Sequence, residues 1–344
     1  MHTTLVFPRP YDILSLQTAE QKEFLTLLTD SGSAPAMTWL DTIQNKRELT
    51  FPETILFRWI TDCQESILEL SEDADFSAPL RYCTNGNELS IENLKAGTTY
   101  FWRVNHSEVS SFCTEERYPR FIHIEGLVNI RDIGGIDSIS GSRIRQGMVY
   151  RGSELNSSFD ARYHNLAVDS CFYDIAQSGK TVFCNELKIR TELDFRGDQL
   201  GKITQSPAGP YVVLQQIPLR PYAEIFSEEH KKNTAAILNF MAEPSHYPVY
   251  IHCRGGMDRT GMITMFLQAI CGFAEEALHR EYEYSSLCSI GQRKRSTEYY
   301  TEFLQKMAEY ASSQSLPEQI KVFLLECGVT EACMEKICAI LKES

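Results

Sequence analysis

Nowhere in this 344-residue chain do apolar residues run for the ~18 positions that a membrane-crossing helix needs, so no span is expected. Positive charge is scarce as well: 33 Lys and Arg face 46 Asp and Glu, a net charge of −13. Such a chain is a poor general partner for nucleic acid or anionic membrane surfaces, and an anionic substrate must be captured by cations gathered locally. The amino terminus, MHTTLVFPRPYD, lacks the basic start and apolar run of a secretory leader, so none is expected. Internal repeats and low-complexity linkers are missing too, and the composition excludes a disordered tail protein, a collagen-like chain and a coiled coil. What remains, 43% apolar and 23% charged residues, is an ordinary globular mix long enough for two to three domains.

Eleven cysteines, an odd number with no export signal, read most simply as reduced thiols in a cytoplasm. Cys327, Cys333 and Cys338 are spaced too widely for a metal cluster and have no histidine nearby, so they read as buried thiols on helix faces. No metal or cofactor is expected in the chain.

Residues 35–115 read as short strands with no convincing helix. ILFRWI (55–60), ESILEL (65–70), ELSIENL (88–94) and TYFWRV (99–104) are rich in strand formers, with polar turns between them. This spacing predicts an antiparallel sandwich in which Trp59, Tyr100 and Trp102 are packing residues. QKEFLTLL (21–28) fits either a short helix or an added strand. Trp59, followed by Leu94-Lys95-Ala96-Gly97-Thr98-Thr99-Tyr100 running into FWRV, resembles a fibronectin type III domain. The resemblance implies a tyrosine corner, with the Tyr100 hydroxyl returned to the backbone.

From Phe121 onward, strand-like pieces (MVYRG, TELDFRG, YVVLQQIPL, PVYIHC) alternate with helical ones: NELKI, 228–241, 262–271, 275–284, 297–311 and 317–326. Alternation predicts an α/β domain with a central, largely parallel sheet flanked by helices, and ligands beyond the carboxyl ends of its strands. The expected architecture is therefore a two-domain α+β chain: a β-sandwich over residues 1–118 and an α/β domain over 119–344.

The informative segment is Pro248-Val249-Tyr250-Ile251-His252-Cys253-Arg254-Gly255-Gly256-Met257-Asp258-Arg259-Thr260-Gly261, followed by apolar MITMFLQAIC. An apolar strand ends at His252, a glycine-containing loop follows, and a helix is expected from near Thr260. Amides of a tight loop and a helix start form an anion cradle. Gly255 and Gly256 supply the positive φ and close approach it needs, and Arg259 can grip two oxygens of a tetrahedral dianion. There the Cys253 thiol should fall from its free pKa of about 8.5 into the ~3.5–7.5 range of helix-terminal cysteines. Thiolate attack on phosphorus gives a phosphocysteine that water hydrolyses. Thr260 can donate to the departing sulfur, and His252 braces the loop. Arg254, Gly255, Gly256, Met257, Thr260 and Gly261 are the expected substrate-binding positions. The thiolate is also a target of oxidation.

This string resembles the His-Cys-five residues-Arg-Ser/Thr signature of the cysteine-dependent protein tyrosine phosphatase superfamily, and HCxxGxDRTG is nearest to its bacterial tyrosine/dual-specificity group. Asn129-Ile130-Arg131-Asp132-Ile133-Gly134-Gly135, Tyr150-Arg151-Gly152-Ser153, Leu193-Asp194-Phe195-Arg196 and REYEYSSL (280–287) recur in that order in the group.

A leaving alkoxide or phenolate needs a proton donor. Many family members carry an aspartate on the loop before the cysteine strand, but IPLRPYAEIFSEE has none and offers Glu224. Asp258 is the better candidate; myotubularin-like phosphatases are similar there. Arg131 and Asp132 read as pairing with each other to shape the pocket or touching substrate, and Arg151 and Arg196 as rim charges or surface ion pairs. Gln292-Arg293-Lys294-Arg295 reads as a solvated helix start or a holder of a second substrate phosphate. Met257 stands where the bacterial group commonly has lysine, which favours phosphotyrosine proteins or simple phosphomonoesters over the alternative, a phosphoinositide or inositol phosphate. From a different class, the chain would be a phosphoprotein-binding pseudophosphatase with the sandwich as its interaction domain. Intact Cys253, Arg259 and Thr260 speak against that.

Overall fold

The computed structural model describes residues 3–136, 138–156, 174–197 and 204–343. They form two compact units, one of Met1–Ala19 with Pro52–Ile122 and one of Glu20–Phe51 with His123–Ser344.

The first unit is built of short strands: β1 (Thr3–Phe7), β2 (Ile13–Leu14), β3 (Ile55–Thr61), β4 (Ser66–Ser71), β5 (Leu80–Thr84), β6 (Glu88–Ile91), β7 (Thr99–Val104), β8 (Ser110–Thr114) and β9 (Arg120–Phe121). β1-β3-β6 make one sheet and β2-β8-β7-β4-β5 another. Alternation decides what faces inward: along β3, Ile55, Phe57 and Trp59 are buried while Arg58 and Ile60 are exposed. These side chains share a core with Leu68, Trp102 and Phe112. Trp59, Tyr100 and Trp102 are packing residues as expected, and the Tyr100 hydroxyl accepts the Lys95 amide at 2.8 Å.

The second unit begins with α1 (Ala19–Asp30) and α2 (Ser33–Ile43). The first resolves QKEFLTLL as a helix, and the second overturns the helix-free reading of 35–115. Ala36, Met37 and Leu40 give α2 one buried face at helical spacing, and Pro35 sits in its first turn, where a missing N–H costs nothing. This hairpin groups with the later residues, so a single cut at residue 118 does not describe the units. Gln21 Nε2 donates to the Leu49 and Phe51 carbonyls, Gln44 Nε2 to those of Ser286 and Cys288, and the Leu49 amide to Leu287.

Within this unit the sheet runs β13 (Val213–Gln216), β12 (Thr191–Asp194), β14 (Val249–His252), β11 (Val149–Gly152), β10 (Arg131–Asp132). All pairs are parallel except β10–β11. β11, β12 and β14 are buried throughout, as interior parallel strands are. The helices are α3 (Gln177–Thr181), α4 (Glu228–Met241), α5 (Asp258–Ile270), α6 (Glu275–Glu283), α7 (Glu298–Ala308), α8 (Leu316–Glu326) and α9 (Glu331–Leu341). NELKI is not a helix of its own: a π-helical turn over Val182–Glu186 continues α3 and stops there. α5 is buried on every side from Thr260 to Ile270, so its apolar run reads as a core helix. Among the described residues no helix is long and apolar enough to cross a membrane.

Candidate active site

Register brings Gly152, Asp194 and His252 side by side at the carboxyl ends of β11, β12 and β14. Cys253 follows directly, and α5 starts at Asp258, two residues earlier than the sequence suggested. Of the two glycines expected to need positive φ, only Gly256 has it, at +66°. A Cβ there would lie 2.0 Å from the Gly152 carbonyl oxygen, so close backbone approach demands glycine. At Gly255 a Cβ would come within 2.8 Å of the tip of Ile290 and otherwise make ordinary contact with Met257.

The loop's carbonyls are turned away from its centre one after another. His252 O accepts the Phe195 amide at 2.9 Å, Arg254 O the Glu154 amide at 2.8 Å, and Met257 O the Gly261 amide at 2.9 Å. Cys253 O accepts His252 Nδ1 at 2.9 Å, Gly255 O accepts Asn129 Nδ2 at 3.0 Å, and Gly256 O accepts Arg151 Nη2 at 2.6 Å. In a planar trans peptide the N–H points opposite the C=O. Carbonyls pinned outward therefore aim the following amides inward, which makes an anion-binding nest.

Arg151 is wholly buried, and its second anchor is Glu281 Oε1 at 2.8 Å. Glu281 also takes Arg131 Nε at 3.0 Å, and Arg131 reaches Asn129 Oδ1 at 2.8 Å. One carboxylate on α6 thus joins two buried guanidiniums under the loop. Asp132 does not pair with Arg131: its oxygens accept the amides of Gly134 and Gly147 at 2.9 and 2.6 Å. Arg196 is buried on Asp194, at 2.9 Å, and Glu154, at 2.9 Å. Neither Arg151 nor Arg196 is a rim charge or a surface pair.

Cys253 is buried, which by itself pushes its thiol up. The Arg259 guanidinium and the Thr260 hydroxyl and amide outweigh that and bring it below the ordinary thiol value. Thr260 Oγ1 is buried with no oxygen or nitrogen partner, leaving its hydroxyl for the sulfur. Arg259 is partly exposed and touches the Phe195 carbonyl at 3.3 Å. Arg254 is exposed at the loop's edge, and Met257 is buried.

His252 Nδ1 lies 2.9 Å from Cys253 O and Nε2 2.9 Å from Glu192 Oε1, two acceptors that favour the charged imidazolium. Burial opposes this charge, but Asp194 and Glu192 hold its pKa above the ordinary value. Glu192, Asp194 and His252 cluster closely enough to ligate a cation. The donor set fits one poorly, because both ring nitrogens of His252 already face oxygen partners and Asp194 is filled by Arg196.

Asp258 lies in the fork of Arg293, with Nε–Oδ1 2.6 Å and Nη2–Oδ2 2.9 Å, and also accepts the Tyr222 hydroxyl. Burial raises its pKa, but Arg293, Tyr222 and Arg259 hold it below the usual carboxylate value. Tyr222 meets Tyr282 hydroxyl to hydroxyl at 2.8 Å. Glu224 is exposed on the same 3-10 turn, and its neighbour Tyr222 is the residue that reaches the loop. The basic run is neither solvated nor open to a second phosphate as four positions: Gln292 and Lys294 face Asp41, and Arg295 faces Glu276 and Glu283. Sequence reasoning missed Tyr222, Glu192, and the links of Arg293 and Glu281. Tyr222 stood in the very loop searched for an aspartate, where only carboxylates were sought.

The model of the tyrosine phosphatase family matches residues 122–169 and 172–344, well over half the chain. The chain belongs to the tyrosine phosphatase family. It is a phosphatase, a hydrolase, and the matched range contains every loop residue described above. No curated protein matches it. Among solved structures, the core catalytic domain of the PP-IP phosphatase SIW14 from S. cerevisiae, in complex with citrate, is 15% identical, covering 52% of this chain and 94% of that one at a TM-score of 0.30. A second structure, of the Siw14 catalytic core, is 15% identical, covering 47% and 85% at a TM-score of 0.28. Likeness that slight carries no argument about this phosphatase.

Proposed function

We propose that this phosphatase hydrolyses phosphomonoesters through a phosphocysteine on Cys253, without metal or cofactor. The observation that supports it is the run of six loop carbonyls, His252 to Met257, each bonded away from the loop beside a thiol that Arg259 and Thr260 hold low. The Cys253 sulfur attacks phosphorus, the S–P bond forms, and the ester P–O bond breaks as the leaving oxygen takes a proton from Asp258. Water then attacks, passing a proton back to the Asp258 carboxylate, and sulfur leaves with the Thr260 hydroxyl donating to it. Arg259 and the loop amides hold the equatorial oxygens. Cys253→Ser should abolish hydrolysis of an aryl phosphate while phosphate or vanadate still binds. Residual turnover at the unaltered rate, or activity lost on adding a chelator to the native enzyme, overturns the scheme.

Two substrate classes fit this chemistry, phosphotyrosine proteins and inositol phosphates, and the family description names the first. Charge separates them. A phosphotyrosine protein brings one phosphate, whereas an inositol polyphosphate brings several and calls for spare cations at the rim. Arg293, Lys294 and Arg295 each already face an acid. Turnover of phosphotyrosine peptides compared with inositol phosphates assigns the class, the faster set naming it.

The first unit reads as a fibronectin type III-like sandwich that offers a surface to a protein partner. Its two sheets and the Tyr100 bond to Lys95 support this. A thiolate enzyme belongs in a reducing compartment, the cytoplasm in this reading.

A further inference from the structure

Thr50 lies in the coil between α2 and β3, where polar side chains normally meet water, yet only 1% of its surface is exposed. Its hydroxyl is committed in both directions. It donates to Glu48 Oε1, and its oxygen accepts the backbone amide of Asn129 at 3.0 Å, 79 positions along the chain. The Thr50 amide also donates to Glu48 Oε1, at 3.1 Å. The second carboxylate oxygen of Glu48 accepts the Ser289 amide at 3.1 Å, the Ser289 hydroxyl at 2.9 Å and the Cys288 thiol at 3.3 Å. Thr50 stands outside residues 122–169 and 172–344, so its place here is no part of the family match.

Asn129 is the link to the loop. It is completely buried and holds a left-handed φ of +56°. Asn enters that region more readily than other side chains do. Three bonds keep it there: its amide to Thr50, its Oδ1 from Arg131 Nη1 at 2.8 Å, and its Nδ2 to the Gly255 carbonyl at 3.0 Å.

We propose that Thr50, oriented by Glu48, is a positioning residue for the phosphate cradle, acting through Asn129 on the Gly255 carbonyl.

A hydroxyl has one hydrogen and two lone pairs. Glu48 takes the hydrogen, so a lone pair is what the Asn129 amide meets, and the charged acceptor strengthens the arrangement. Without that oxygen the amide becomes a buried donor with no partner, a cost the backbone relieves by shifting. The Asn129 side chain moves with its backbone and releases Gly255 O. Gly255 has no side chain to resist rotation of that peptide, so the Gly256 N–H, aimed inward by the outward carbonyl, loses its direction. One donor to the phosphoryl oxygens is then misplaced, for the bound anion and the transition state alike. This role rests on the phosphoryl-transfer reading of the loop and adds to it a residue from a distant stretch of chain.

The test uses the full chain and compares Thr50→Val with Thr50→Ser. Valine keeps the branched shape and loses the oxygen; serine keeps the oxygen and loses the methyl. Thr50→Val should lower kcat/KM for an aryl phosphate by ~10–10²-fold and weaken inhibition by vanadate, as a displaced cradle donor does. Thr50→Ser should restore most of both. Serine losing as much as valine assigns Thr50 to packing and overturns the proposal. So does a Thr50→Val enzyme with native kcat/KM, or one whose turnover falls while vanadate inhibition is unmoved. If Thr50→Val does not fold, Thr50→Ala against Thr50→Ser isolates the hydroxyl with the same outcomes. Failure of the phosphocysteine scheme shows separately, as turnover surviving in Cys253→Ser, whereas vanadate binding by the Thr50 variants does not depend on which group attacks phosphorus.

Discussion

The carboxylate of Asp258 sits in the fork of Arg293, two bonds of 2.6 and 2.9 Å across 35 positions of sequence. This lowers the pKa of the group assigned to proton transfer. Cys253 must be ionised to attack, so activity rises with pH through its lowered pKa. Asp258 must be protonated to donate, so activity falls as pH passes its own lowered pKa. Arg293, Tyr222 and Arg259 all face Asp258 and hold the falling limb on the acid side; Tyr282 and the Cys253 thiol also interact with it. Arg293→Gln removes the largest stabiliser of the carboxylate and should move the falling limb of the kcat/KM profile to higher pH. An unmoved limb means that Asp258 is not the titrating donor.

Asp258→Asn keeps the shape and loses the proton. Hydrolysis of an ester with a poor leaving group should slow by ~10²–10⁴-fold, while an activated aryl phosphate loses little. Equal slowing of both transfers the role to another group, with Glu224 next to be tested.

Gly256 and Gly255 are adjacent but not equivalent. Gly256→Ala forces a side chain onto the Gly152 carbonyl at a positive φ, strain of ~1–3 kcal/mol at the cradle's centre. Misplacement of this kind costs on the order of 10²-fold in turnover. Gly255→Ala crowds only the flexible tip of Ile290 and should retain most activity. Matching losses in the two variants would contradict this account of the loop.

Glu281→Gln tests the layer beneath. It leaves Arg131 and Arg151 buried against a neutral amide, and losing one partner of such a network costs ~3–5 kcal/mol. Denaturant unfolding should show it as a lower midpoint. A change under about 1 kcal/mol means that water or a rearranged carboxylate takes over.

The loop was legible because its chemistry is local: residues 252–261 hold the nucleophile, the guanidinium and the glycine that the turn requires. The flanking motifs were legible only as strings. The fold shows what they do: Asn129, Arg151, Glu154 and Phe195 each pin one loop carbonyl, and Glu281 ties two arginines together. Such partners are set by sheet register and helix packing, which sequence spacing does not encode. The same gap made Arg131 pair with Asp132 on paper, although neighbours on a strand point to opposite faces. α2 was missed because its strand-rich surroundings outweighed the helical spacing of Ala36, Met37 and Leu40.

Alkylation of Cys253 followed across pH tests the central claim most directly. The loop and Arg259 predict reaction that is already near its plateau at neutral pH and is suppressed by phosphate or vanadate. Labelling that climbs only near the ~8.5 of a free thiol, with no protection by either anion, would contradict the account.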